Sequence, residues 1–185
     1  MGKVLSLILV LFFGINVWSQ QPLRLRLTIW GNDSVSTDKL VLGFDTRATN
    51  GVDMILGEME LPPLLPPGSF GVFGVFIFYD SVQKSNVWSY IDIRPFPENY
   101  DDTVKFLVLA KHDYGLKLGF EWRPISEEYE YAWIVDEYLG TLFQVDMKEK
   151  TKTSVDNEFL DKFYVKIKLQ KPNSVEDKSY ENLFA

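Results

Sequence analysis

The chain has 185 residues, 46% of them hydrophobic, no cysteine and a formal net charge of −7. That length and apolar share suffice for one domain with a sizeable core. The absence of thiols excludes a disulfide-stapled extracellular module, zinc-thiolate and iron–sulfur centres and N-terminal lipidation, and the acidic balance argues against nucleic acid or anionic membranes, which recruit basic patches.

Residues 1–19 read as a Sec-type signal peptide. Met1-Gly2-Lys3 is a short basic start, Val4–Val17 is an apolar run, and Val17-Trp18-Ser19 offers a small-residue cleavage site before Gln20. The run is too short and too close to the N-terminus for a membrane anchor, and no later stretch is apolar for long enough to span a bilayer. The expectation is an exported protein, extracellular, at the cell surface or in the periplasm.

From residue 20 to 169 the hydrophobic period is close to two. Leu23, Leu25, Leu27 and Ile29 alternate with Arg24, Arg26, Thr28 and Trp30, the pattern of a half-buried strand. Leu40–Phe44 reads as a second strand. Phe70–Tyr79, apolar on both faces, reads as a central one, with Gly71 and Gly74 marking a bulge or a close backbone approach. Further strands are expected at Val87–Ile93, Thr103–Ala110, Leu116–Trp122, Glu130–Val135, Thr141–Met147 and Phe163–Leu169, with weak helical spacing only at Val155–Lys162. About nine short strands without βα alternation predict an all-β fold, an antiparallel β-sandwich of Ig-like or jelly-roll-like type. Residues 170–185 form a polar tail.

Between the second and third strands lies ATNGVDMILGEMELPPLLPPG, Ala48–Gly68. Asn50-Gly51 suits a tight turn, and Pro62-Pro63 and Pro66-Pro67 cannot donate to a ladder. The segment is expected to cross the sandwich in a polyproline-like conformation, pinned by Leu61, Leu64 and Leu65, and to cover a sheet edge.

These residues resemble a module recurrent in Bacteroidetes-type proteins exported by the type IX route. The resemblance rests on Ala48-Thr49-Asn50-Gly51-Val52-Asp53, Gly57-Glu58, Glu60-Leu61-Pro62-Pro63, Pro66-Pro67-Gly68 and Phe70. Weaker matches are Asp92-Ile93-Arg94-Pro95, Gly119-Phe120-Glu121-Trp122, Asp136 with Gly140, and Asp146-Met147. It covers about residues 23–169. It implies a β-sandwich commonly placed just before a C-terminal sorting domain.

Chemistry-bearing patterns are sparse. His112, the single histidine, sits in a turn-like Lys111–Gly115 stretch, the sequence holds no Gly-x-Ser-x-Gly element, and His112 reads as an ordinary surface residue. Carboxylates are plentiful enough for a two-carboxylate glycosidase, yet no spacing pairs any two of them. Asp45, Asn50, Asp53, Glu58 and Glu60 offer oxygen ligands for calcium, though not in EF-hand order, and a solvated acidic loop is the favoured reading. On a strand, Tyr129, Tyr131, Trp133 and Val135 share a face opposite Glu128, Glu130 and Asp136. An exposed aromatic face would be a stacking platform for sugars or a protein; the alternating glutamates favour aromatics turned to the core. Asp92 and Arg94 share a face and are expected to form an ion pair, with each other or across the sheet.

Asp-(Ser/Thr)-Val occurs at Ser34, Ser81 and Thr103. By the same resemblance it is similar to an O-glycosylation acceptor pattern, whereas turn chemistry alone also produces it. No cofactor motif is present. The leading expectation is a secreted, non-enzymatic accessory or interaction module whose partner is a protein or a cell-surface glycan. The alternatives are a carbohydrate-binding domain using exposed Trp and Tyr, and an enzyme of unrecognised class.

Overall fold

The computed structural model describes residues 20–31, 35–62, 71–112 and 117–171. The signal segment, Ser34, the Pro-rich residues 63–70 with Leu64 and Leu65, and the tail beyond Lys171 lie outside the described residues.

Among the described residues, eleven strands form two sheets. They are β1 (Leu23–Gly31), β2 (Val35–Phe44), β3 (Val72–Asp80), β4 (Ser85–Ser89), β5 (Ile91–Arg94), β6 (Val104–His112), β7 (Leu118–Trp122), β8 (Tyr129–Asp136), β9 (Gln144–Asp146), β10 (Lys152–Val155) and β11 (Lys162–Leu169). One sheet has the order β10-β7-β1-β2-β5 and the other β4-β3-β6-β11-β8-β9. Alternation along each strand turns one face inward, so Leu27, Ile29, Leu40, Leu42 and Phe44 meet Phe76, Phe106, Phe163 and Val165 in a single core. The phenylalanines interlock edge to face: Phe120 and Phe163 have centroids 4.9 Å apart, Phe44 and Phe106 5.8 Å. The sheets approach closely at Gly74, where a Cβ would stand 2.1 Å from Ile29 Cδ1. A β-sandwich is therefore what the period-two pattern produces.

Three details differ from the sequence expectation. Val87–Ile93 is two strands in different sheets: β4 pairs with β3, and after Tyr90 β5 pairs with β2. Ser89 sits at this corner, its Oγ accepting the Ile91 N–H at 3.1 Å. The β2–β5 pair is parallel, so the sandwich is mostly rather than wholly antiparallel. Val155–Lys162 forms no helix. It is the end of β10, a turn at Asn157–Leu160 and the start of β11, and the polar Lys152–Val155 carries too little alternation to announce itself as a strand.

The motif-rich segment runs from β2 to the edge of the second sheet. Leu61 N–H donates to Trp88 O at 2.7 Å and Met59 N–H to Ser89 Oγ at 3.5 Å, so residues 59–61 lie against edge strand β4. Leu61 is half-buried. For this described part, the expected covering of a sheet edge is what the structure shows.

Candidate functional site

A row of outward aromatic and charged side chains stands on the outer face of the six-stranded sheet. Phe163, Val165 and Ile167 of β11 and Ala132 and Ile134 of β8 point into the core. Alternation sends Tyr164, Lys166 and Lys168, and Tyr131, Trp133 and Val135, the other way. Strand register turns these into rows. Trp88, Ile77, Leu107, Tyr164, Val135 and Gln144 stand opposite one another across all six strands. Beside them run Lys105, Lys166, Trp133 and Asp146.

The two halves of this face differ. Over β3 and β6, Val75 and Leu109 are buried although they point away from the core. Over β11, β8 and β9, Tyr131, Trp133 and Lys166 are half-buried and line an open groove of about 460 Å³ with Val135, Gln144 and Asp146. Aromatic faces, a cation and two polar side chains in one shallow groove are the chemistry of a recognition surface.

A β-bulge explains which aromatics reach it. Lys168 pairs with Tyr131 but Leu169 pairs with Tyr129, which leaves Glu130 as the extra residue. Tyr129 is thereby returned to the core, 3% exposed, with burial pushing its phenol up to about 12. The expectation that Tyr129, Tyr131 and Trp133 share one face turned to the core holds for Tyr129 alone. The alternation along β8 breaks at Glu130.

Several contacts fix the groove. Tyr131 Oη is hydrogen-bonded to Thr103 Oγ1. Lys168 Nζ pairs with Glu130 at 2.8 Å and lies 3.9 Å from Asp101. Strand β9 is placed by the turn after β8, which Asp136 organises from within. Its Oδ1 accepts the N–H of Tyr138 (2.6 Å) and Gly140 (3.2 Å), and its Oδ2 those of Leu142 (2.8 Å) and Phe143 (2.5 Å). Burial opposes the charge, yet the four backbone donors together hold this carboxyl below its ordinary range.

The proposed calcium ligands do not converge. Asp45 is held by Arg24 and Arg47, each at 2.9 Å, and the Arg47 hydrogen bond foremost keeps its carboxyl ionised. Asp53 accepts Thr49 N–H (2.6 Å) and Thr49 Oγ1–H (2.9 Å). Glu58 accepts Asp53 N–H (2.7 Å) and Ile93 N–H (2.5 Å). Asn50 and Glu60 are exposed, and the Asn50 carbonyl receives Ser81 N–H at 3.0 Å. Among the described residues no group of three or more acids or histidines is placed to hold a metal ion.

Glu58 is 2% exposed, and burial raises its carboxyl to about 7, with Asp92 and Asp53 adding repulsion against two backbone donors. Asp92 is likewise raised by burial, against the pull of Arg94. The Asp92–Arg94 pair is present as expected, bidentate at 2.7 and 2.9 Å, and the Arg94 guanidinium also lies 4.5 Å from the Phe106 ring centroid.

Of the Asp-(Ser/Thr)-Val sites, Ser34 lies outside the described residues. Ser81 is exposed in the turn that Asp80 caps by accepting Val82 N–H at 2.7 Å and Gln83 N–H at 3.1 Å. Thr103 is half-buried with its hydroxyl engaged by Tyr131. Turn chemistry thus accounts for the Asp80 occurrence. His112 is half-buried at the end of β6 rather than on an open turn.

Lys166, Lys105, Gln144 and Asp146 were not anticipated as site residues. The alternation of lysines with Phe163, Val165 and Ile167 marks Lys166 as outward, but only strand order places it beside Trp133. No family model matches the chain, and no curated protein or solved structure matches it either.

Proposed function

We propose that the protein is an exported, non-enzymatic binding module whose recognition surface is the groove over β11, β8 and β9, and that its ligand is a saccharide. The observation that carries this reading is the outward, half-exposed pair Tyr131 and Trp133 with Gln144, Asp146 and Lys166 around them. A sugar ring stacks its C–H face on an indole or phenol while its hydroxyls take hydrogen bonds from polar neighbours. Export is supported by the basic start, apolar run and cleavage site of residues 1–19.

The test is affinity electrophoresis and calorimetry of the purified protein against a panel of polysaccharides, with Trp133→Ala beside it. Trp133 points away from the core, so the variant should melt close to wild type and bind at least about tenfold more weakly, a loss of about 1.4 kcal/mol. Equal binding by both proteins, or no affinity for any glycan of the panel, would overturn the reading.

A second reading has its own observation. Met54 (80% exposed), Ile55 (79%) and Met59 (67%) lie at the 3-10 turn Met54–Leu56 and just after it, where the chain reaches edge strand β4. Exposed methionines on an adaptable loop fit contact with a protein partner. Crosslinking in the native host that captured a partner through this loop, with glycan binding absent, would favour this accessory role.

A further inference from the structure

We propose that the saccharide held by this face is anionic, a uronic-acid unit whose carboxylate lies over Lys166 and Lys105 while its ring stacks on Trp133. The inference rests on the saccharide-binding reading and adds the charge and orientation of the ligand. Its basis is the row Lys105–Lys166–Trp133–Asp146, whose members stand directly opposite one another on β6, β11, β8 and β9.

Two lysines directly opposite each other on one face repel, and in a chain with 26 acidic residues to 19 basic ones such a pair is not forced by composition. Nearby outward lysines have been neutralised: Lys162 by Glu137 at 3.5 Å and Lys168 by Glu130 at 2.8 Å. Lys105 and Lys166 are not; among the described residues neither ammonium meets a carboxylate within 4.0 Å. The two charges that are left side by side and unneutralised are the two in line with Trp133.

Geometry gives the pair a direction. Neighbouring strands lie about 4.8 Å apart, so a pyranose ring centred on the Trp133 indole extends its edge over Lys166, with Lys105 one strand further. The carboxylate of a uronic acid projects from the ring edge and leaves the C–H face free to stack. Asp146, on the opposite side of Trp133 and already bonded to Lys148 N–H at 2.8 Å, presents acceptor oxygens to ring hydroxyls. A cationic side and an acceptor side flanking one aromatic ring fix which way round the sugar lies. Carboxylate at the lysines is favourable, and at Asp146 it is repelled.

The experiment is calorimetry of the purified protein with three oligosaccharides of equal length: a polyuronate, its carboxyl-reduced neutral counterpart and a sulfated glycan. Each is titrated at low and moderate salt and against Lys105→Gln, Lys166→Gln and Trp133→Ala. The expected result is at least a tenfold preference for the polyuronate over the neutral form. Each glutamine variant and added salt should weaken polyuronate binding more than neutral-sugar binding and so reduce that preference, and Trp133→Ala should weaken both. All three variants alter outward side chains, and unchanged melting verifies that they fold. Equal affinity for charged and neutral forms, insensitive to the lysines, would overturn the anionic assignment and leave the saccharide reading standing. Preference for the sulfated glycan would overturn the carboxylate assignment. Polyuronate binding that survives Trp133→Ala but disappears with salt would reduce the site to unspecific charge attraction. No binding of any of the three would overturn both this inference and the reading beneath it.

Discussion

Replacing Asp136 by alanine should cost about 3–5 kcal/mol of stability. The carboxylate is fully buried and accepts four backbone N–H groups between Tyr138 and Phe143. A bond to a charged acceptor contributes about 1.5–3 kcal/mol net, so four taken at face value would exceed the stability of many domains. They do not simply add. Tyr138, Leu139 and Leu142 are exposed, so N–H groups in the outer part of the turn reach water once freed. The donors nearest β9 are more enclosed, because Phe143 lies against Phe120 and Phe163. About two bonds' worth remains as the net loss.

Asp136→Asn keeps one acceptor oxygen and turns an amide group toward the other two donors, for which about 2–3 kcal/mol is expected. Urea unfolding at neutral pH reads both values, and the alanine variant should melt lower by roughly 10 °C. The sign with pH is fixed by the direction of the shift. A carboxyl held below its ordinary 3.8 stabilises the fold above that pH and ceases to do so as pH falls through its folded value. The gap between wild type and Asp136→Ala should therefore narrow in acid. A loss under about 1 kcal/mol for the alanine variant, or a gap independent of pH, would refute the reasoning.

Glu58 should give the opposite pH signature. Its carboxyl is raised to about 7 from an ordinary 4.5, so its contribution is most favourable below pH 4.5 and is lost as pH rises to 7, by about 3 kcal/mol. Glu58→Gln should consequently be more damaging at pH 5 than at pH 8 in parallel urea titrations, and an equal deficit at both would contradict the assignment. Gly119 faces Trp30 across the β1–β7 pair, where a Cβ would stand 2.2 Å from the indole and 2.7 Å from Thr153 O. Gly119→Ala must displace the ring from beneath Lys152, now 4.5 Å above its centroid, and should cost about 1–3 kcal/mol by thermal melt; an unchanged melting temperature would show that the ring moves freely.

The sandwich was legible because burial on one face of a strand imprints period two directly on the sequence, as at Leu23–Ile29 and Phe163–Leu169. Sheet membership was less legible. Nothing in the apolar-rich run Val87–Ile93 distinguishes a continuous strand from one that changes sheet at Tyr90, where β4 buries Val87 and Ser89 and β5 buries the successive Asp92 and Ile93. The bulge at Glu130 was hidden for a related reason. Extra residues carry no composition of their own, yet this one decides that Tyr129 is core while Tyr131 and Trp133 face outward. The groove proposed for recognition depends on pairing among β6, β11, β8 and β9, which are far apart in the chain. Lys105 and Trp133 become neighbours of Lys166 only through register.

The buried acids show how a chain without cysteine holds its connections. Asp45, Asp80, Asp136 and Glu58 each bind backbone N–H groups of an adjacent turn or loop, with arginines assisting at Asp45. Each therefore ties a connection to the sandwich, although by hydrogen bonds, charge-assisted at the three aspartates, that respond to pH rather than by covalent links. Two of these ties bear on recognition in different ways. Asp136 fixes the turn that brings Gln144 and Asp146 to the groove, so the proposed site is carried by paired strands and a turn anchored from inside. Glu58 holds the segment bearing Met54, Ile55 and Met59, whose side chains remain in solvent. A site built on strands is pre-organised and loses little entropy when a rigid ring stacks on it. The same physics that lets acids replace disulfides thus rigidifies the face proposed to bind a saccharide.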